Sequence, residues 1–136
     1  IEDDLAVLSE VRSALKENGL LLLSVPQHGW LWSPVDEYAC HVRRYSASEL
    51  RRKLKSVGFE ILRSTSFVSF LLPSMMLSRL MKRYSRSNID YSDELKLSKN
   101  LNALLLKIMQ LEIYLIKIGI NLPFGGSRLV LAKRIK

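Results

Sequence analysis

Residues 8–26 read Leu8-Ser9-Glu10-Val11-Arg12-Ser13-Ala14-Leu15-Lys16-Glu17-Asn18-Gly19-Leu20-Leu21-Leu22-Leu23-Ser24-Val25-Pro26. With Leu5 just upstream, Leu8, Val11 and Leu15 recur at the spacing of a helix with one apolar stripe. Asp3 and Asp4 sit where an N-cap and a first-turn acid belong. The pattern predicts an amphipathic helix over residues 4–17. Asn18-Gly19 stops it, because both residue types tolerate positive φ. Leu20 to Val25 is then a short apolar run without alternation, closed by Pro26. A strand buried on both faces of a parallel sheet reads this way. Helix, glycine turn and buried strand make the second part of a βαβ unit, with the first strand expected upstream of Ile1.

Downstream, residues 26–45 read as a long loop carrying Pro26, Gly29 and Pro34. Ser46-Ala47-Ser48-Glu49 has the form of a capping box. The helix it starts places Leu50, Leu54 and Val57 inward and Arg51, Arg52, Lys53 and Lys55 outward, and Gly58 ends it. A second strand begins at Phe59-Glu60-Ile61-Leu62-Arg63 and is expected to run as far as Phe70. Pro73 opens a helix over Ser74 to Arg83. Residues 84–100 are polar and read as a linker or insert. An apolar helix follows over 101–118, then a turn at Asn121 to Gly126, then a final strand from Ser127 to Ile135.

Hydrophobic residues make up 48% of the 136, enough for a packed core rather than a disordered chain. Cys40 is the single cysteine, which excludes an internal disulfide framework and a cysteine-rich zinc site; no metal is expected, and a cytoplasmic setting fits. No apolar stretch reaches the ~18 residues of a membrane span. The net charge of +8 is uneven: residues 1–40 hold two cations against seven anions, −5, and residues 41–136 hold 19 against 6, +13. A basic surface favours an anionic partner, while the same cations also serve to solvate helix faces. Met75, Met76, Leu77, Leu80 and Met81, followed by Lys82, Arg83 and Arg86, have the composition of a segment that lies on a membrane surface or caps a long apolar substrate; two helices packed on each other is the plainer account.

Three stretches in this order resemble the C-terminal half of class I S-adenosylmethionine-dependent methyltransferases of the small-molecule type. They are Leu8 to Pro26, ending in Val25-Pro26; Asp36 to Phe59, with His41, Arg44-Tyr45-Ser46, Glu49-Leu50 and Gly58-Phe59; and Leu122-Pro123-Phe124-Gly125 leading into the last strand. Glu17-Asn18-Gly19 stands where that family has a Pro-Gly-Gly turn. The resemblance implies an α/β fold: strands five to seven of a Rossmann-like seven-stranded sheet, with flanking helices. Residues 1–136 would form one part of a single domain, with 66–120 a helical cover or insert on the substrate side. It also implies that the glycine-rich turn and the ribose-binding acid lie upstream of Ile1, so that most of the S-adenosylmethionine pocket is absent and the chain alone is an inactive fragment.

Ligands of open α/β sheets bind beyond the carboxyl ends of strands, here the 26–45 loop. Both tryptophans and both histidines of the chain lie in it. His41 is the candidate general base, because an imidazole titrates near neutrality; its other role would be a structural anchor. Gln27, His28, Trp30, Arg44 and Tyr45 are the candidate substrate-binding residues. Arg43 and Arg44 would either bind an anionic group or pair with Asp36 or Glu37. Trp30 and Trp32 would wall an apolar pocket or pack the loop down. The expected reaction is methyl transfer to an O, N or C acceptor on a small or lipid-like molecule. The alternative is a basic module on a membrane surface, acting through amphipathic helices. Nucleic acid is not expected, since aromatics do not interleave with the cations. An unpaired apolar edge would drive the fragment to dimerise or aggregate.

Overall fold

The computed structural model describes residues 2–77 and 98–135. Helix α1 spans Asp4–Ala14, capped by Asp3, whose carboxylate accepts from the Ala6 amide at 2.9 Å. It ends three residues earlier than its apolar spacing predicts. At this end Arg134 donates to Arg12 O at 3.0 Å and to Leu15 O, carbonyls that a longer helix would have bonded to its own amides. Asn18 then takes φ 61°, the left-handed conformation predicted for it.

Strand β1 spans Leu20–Pro26, helix α2 Pro34–Tyr38, helix α3 Ala47–Ser56, strand β2 Phe59–Phe67, helix α4 Lys99–Lys117 and strand β3 Ser127–Arg134. Ser46 caps α3 by accepting from the Glu49 amide at 3.1 Å. The reciprocal half of the box is replaced: the Glu49 carboxylate lies 3.4 Å from Lys53, one turn along. Gly58 takes φ 85° and lies against the Arg12 side chain, so a Cβ there would be both strained and obstructed. Residues 72–77 are helical. The remainder of the helix predicted over 74–83, and the linker over 84–100 up to residue 97, lie outside the described residues.

The sheet order is β1-β3-β2, and β3 is antiparallel to both neighbours. This corrects the parallel pairing read from the leucine run. β1 and β2 do run the same way, as a helical crossover through α3 requires, but β3 is inserted between them. One sheet face carries Leu21, Leu23 and Val25 beside Ala132, Val130 and Phe59. Leu8 of α1 and Leu50 and Leu54 of α3 pack onto it, completing the buried core. Each such side chain contributes about 1.5–3 kcal/mol.

The other face is only partly covered. Residues 120–122 lie over its Thr65 end, where Thr65 Oγ1 accepts from the Leu122 amide at 2.9 Å and Arg63 donates to Asn121 and to Ile120 O. Leu20 and Leu22 stand open, Leu22 at 66% exposure, so β1 is buried on one face and not on two. Four consecutive leucines carry no alternation, and only register with β3 decides which two face the core.

Glu112 fixes α4 in place. It is fully buried, and its carboxylate accepts from the Ser69 amide at 2.9 Å and the Phe70 amide at 3.2 Å. No described helix is long and apolar enough to cross a membrane.

Candidate functional site at the carboxyl end of strand β1

Beyond Pro26 the chain leaves the sheet and returns to the same point at Tyr45. The Tyr45 amide donates to Pro26 O at 2.9 Å, the His28 amide donates to Tyr45 O at 3.1 Å, and Gln27 and Tyr45 form an isolated parallel bridge. Residues 28–44 are thus an Ω-loop with clamped ends. Such a loop has little core of its own and needs a polar centre.

Asp36 supplies that centre. It is 1% exposed. Its carboxylate accepts from the Ser33 amide at 2.9 Å and the Ser33 hydroxyl at 3.2 Å, capping the start of α2. It pairs with Arg44 at 2.7 and 3.0 Å and with His41 Nδ1 at 3.0 Å. Burial pushes the Asp36 carboxyl up, but the hydrogen bonds from Arg44 and His41 outweigh it and hold the group below the usual carboxylate range. Arg44, 6% exposed, also donates to Gln27 O at 3.0 Å and to Gly126 O at 3.4 Å, tying the loop to the entry of β3.

The predicted residues fall into three places. Gln27 is fully buried behind the loop: its amide nitrogen lies 2.9 Å from His28 Nε2, and its oxygen accepts from Ser66 Oγ at 3.0 Å. Because the Gln27 amide is the donor in this arrangement, His28 Nε2 is an acceptor and the ring is neutral. Burial, together with the charges of Arg128 and Arg44, depresses the His28 pKa and keeps it so. The His28 ring stacks with Trp30, at 5.2 Å, and with Phe124, at 6.1 Å; both partners are exposed. Tyr45 faces the opposite side of the clamp. Its hydroxyl donates to Asp4 at 2.7 Å beside Lys53, and burial together with that carboxylate raises it to about 12.

His41 stands apart from both groups, with its side chain 41% exposed and Nδ1 engaged by Asp36. Its Nε2 has no described partner. The two histidines therefore differ in kind: His28 is a neutral, stacked ring, and His41 is an accessible imidazole oriented by a buried carboxylate. Of the two arginines, Arg44 sits on Asp36, and Arg43 donates to Glu2 O at 2.7 Å and lies 3.6 Å from Asp4.

In the sequence, charge alone makes Asp36 legible only as a partner for Arg43 or Arg44. Its signal was present in Ser33-Pro34-Val35-Asp36, the Ser-x-x-acid pattern of a helix start. Arg128 and Ser66 come from strands distant in sequence and had no local signal; Phe124 lies in the Leu122-Pro123-Phe124-Gly125 stretch, which does not by itself place it beside His28. Among the described residues no group of three or more His, Cys, Asp or Glu is placed to hold a metal.

The turn after β1 is Gln27-His28, with Gln27 buried and bonded at both ends. Gly125 serves close packing instead, since a Cβ there would meet Phe67 O and Ser69 Oγ.

No family model matches the chain. No curated protein matches it. Among solved structures, the selenomethionine form of Haemonchus contortus phosphoethanolamine N-methyltransferase 2 in complex with S-adenosyl-L-methionine is similar, with 17% identity and a TM-score of 0.46. The match covers 98% of this chain and 30% of that one, so the chain spans less than a third of that protein's length.

Proposed function

We propose that this chain is the acceptor-side part of an S-adenosylmethionine-dependent methyltransferase acting, in the whole protein, on an O, N or C acceptor of a small or lipid-like molecule. The observation that carries the reading is the Asp36–His41 pair at the carboxyl end of β1. Asp36 accepts a hydrogen bond from Nδ1–H, which leaves the Nε2 lone pair directed away from the carboxylate. A hydroxyl or ammonium acceptor must lose a proton as it is methylated, and Nε2 is where that proton would go. Asp36 does not titrate in this step; it fixes the tautomer and steadies the imidazolium that forms. Exposed Trp30 and Phe124, both stacked with His28, offer an apolar wall for the acceptor's body.

The test is His41→Ala in the whole protein, with labelled S-adenosylmethionine as donor. We expect kcat to fall by about 10²–10⁴-fold with unchanged cofactor affinity and a nearly unchanged melting temperature. A loss of activity only in proportion to unfolding assigns His41 to anchoring instead. Full activity removes it from the site.

A second reading is contact with a membrane surface through α4. It is favoured by the exposure of Leu104, Leu106, Leu111 and Tyr114 on a helix that also carries Lys99, Lys107 and Lys117. Co-sedimentation with anionic vesicles, lost in Leu104→Glu/Leu111→Glu, supports that reading; no co-sedimentation ends it.

A further inference from the structure

Arg128 lies on the core face of β3, between Val25 of β1 and Ser66 of β2, and is 8% exposed. A guanidinium taken that far out of water needs an anion nearby, because its hydration has to be replaced. None is present among the described residues. The one hydrogen bond Arg128 makes there is from Nη2 to Pro123 O, at a long 3.4 Å. Its Nε is sealed from solvent and has no partner. Nη1 has no described partner either, but is not sealed. The charges around it are of its own sign: burial and the cation of Arg51 both press Arg128 toward the neutral form, and its charge in turn depresses His28. Asp36 does not relieve it, being already committed to Arg44 and His41.

Arg44 shows by contrast how this fold treats a structural arginine. Its side chain is 6% exposed and its Nε is likewise sealed without a partner, but the rest of its guanidinium is given a carboxylate and two carbonyls. Arg128 is held in the same neighbourhood with that counterion left out.

We propose that Arg128 is the centre of an oxyanion-binding site, receiving a phosphate or carboxylate group of a ligand that lies beside His28. The planar guanidinium offers such a group paired N–H donors, and neutral His28, stacked with Trp30 and Phe124, gives the rest of the ligand a flat apolar surface. As a substrate subsite the proposal rests on the methyl-transfer reading. As an oxyanion site it does not, and its test uses no methyl donor.

The probes are inorganic phosphate, phenyl phosphate and vesicles of phosphatidylglycerol, each titrated into the chain carrying ¹⁵N-labelled arginine. The expected result is a saturable shift of the Arg128 Nε–Hε resonance with soluble phosphate or phenyl phosphate. A rise in melting temperature of several degrees at saturation should accompany it. A response to vesicles alone supports the same chemistry with a lipid headgroup as its source. Arg128→Met, which keeps the length and removes the charge, is expected to lose the ligand-dependent rise while melting no lower than wild type in the absence of anion. Arg128→Lys should retain a weaker response. No shift at Arg128 with any probe overturns the proposal. So does an equal anion-dependent rise in Arg128→Met, which would mark a general salt effect. A marked loss of stability in both variants without anion likewise refutes it, since it would make Arg128 a structural residue.

Discussion

The replacement Asp36→Asn tests the account of the loop most directly. Asparagine has the same shape, so no cavity opens and only charge and one acceptor are lost. In the native loop the Asp36 carboxylate, 1% exposed, neutralises an arginine that is itself only 6% exposed. After replacement Arg44 keeps the Gln27 and Gly126 carbonyls and has no counterion among the described residues. Removing one member of a buried ion pair costs about 3–5 kcal/mol, against a total stability of about 5–15 kcal/mol for a domain. At about 4 °C per kcal/mol for a chain of this size, the melting temperature should fall by about 10–20 °C. Circular dichroism melts, with urea titrations at constant slope, would read it. Asp36→Asn/Arg44→Met removes both charges and should recover at least half of the loss, because the penalty belongs to the stranded cation. His41→Ala deletes a partner of the same carboxylate, but the ring is 41% exposed, and its removal should cost about 1 kcal/mol or less. A melt of Asp36→Asn within about 3 °C of wild type would refute the reasoning, as would a double variant no better than the single one.

Other outcomes follow from the same structure. Calorimetry of the chain with S-adenosylmethionine should give no heat of binding, because the turn after β1 is occupied by the buried, doubly bonded Gln27 rather than by open glycines; micromolar affinity would contradict that. At β1, the outer strand among those described, Leu20 and Leu22 are open, so the chain is expected to self-associate in light scattering and Leu22→Lys to reduce it; a monodisperse monomer would show the face is harmless. The Asp36 and Asp4 carboxyls both sit below their ordinary values despite burial, Asp36 through Arg44 and His41, Asp4 through Lys53 and Tyr45. Folded pKa values below the unfolded value of about 3.9 mean stability that is complete above that pH and lost as pH falls through the folded values. The urea midpoint should therefore hold from pH 7 to 5 and drop below pH 4, and a midpoint that is flat down to pH 3 would count against both ion pairs.

What the sequence determined by itself was local. Asp3 at a helix start, Asn18 in a left-handed turn, Ser46 beneath the Glu49 amide and Gly58 at a helix end are each set by one residue's backbone preference or by a hydrogen bond three positions away. Those devices are readable without knowing what lies across the molecule, and they put α1, β1, α3 and β2 in place to within a few residues. The candidate loop was legible for the same reason, from its prolines and its crowding of histidine, tryptophan and arginine. Tertiary structure alone decided the rest. Which leucines of Leu20–Leu23 are buried depends on register against residues over a hundred positions away, such as Leu21 opposite Ala132. The insertion of β3 between β1 and β2 reverses the pairing that an apolar run implies, since hydrophobicity records burial and not strand direction. Arg44 and Arg128 look alike as letters; one is neutralised by Asp36 and the other is left without a carboxylate among the described residues, because desolvation and Coulomb energy depend on where charges meet in space and not on the spacing of residues along the chain.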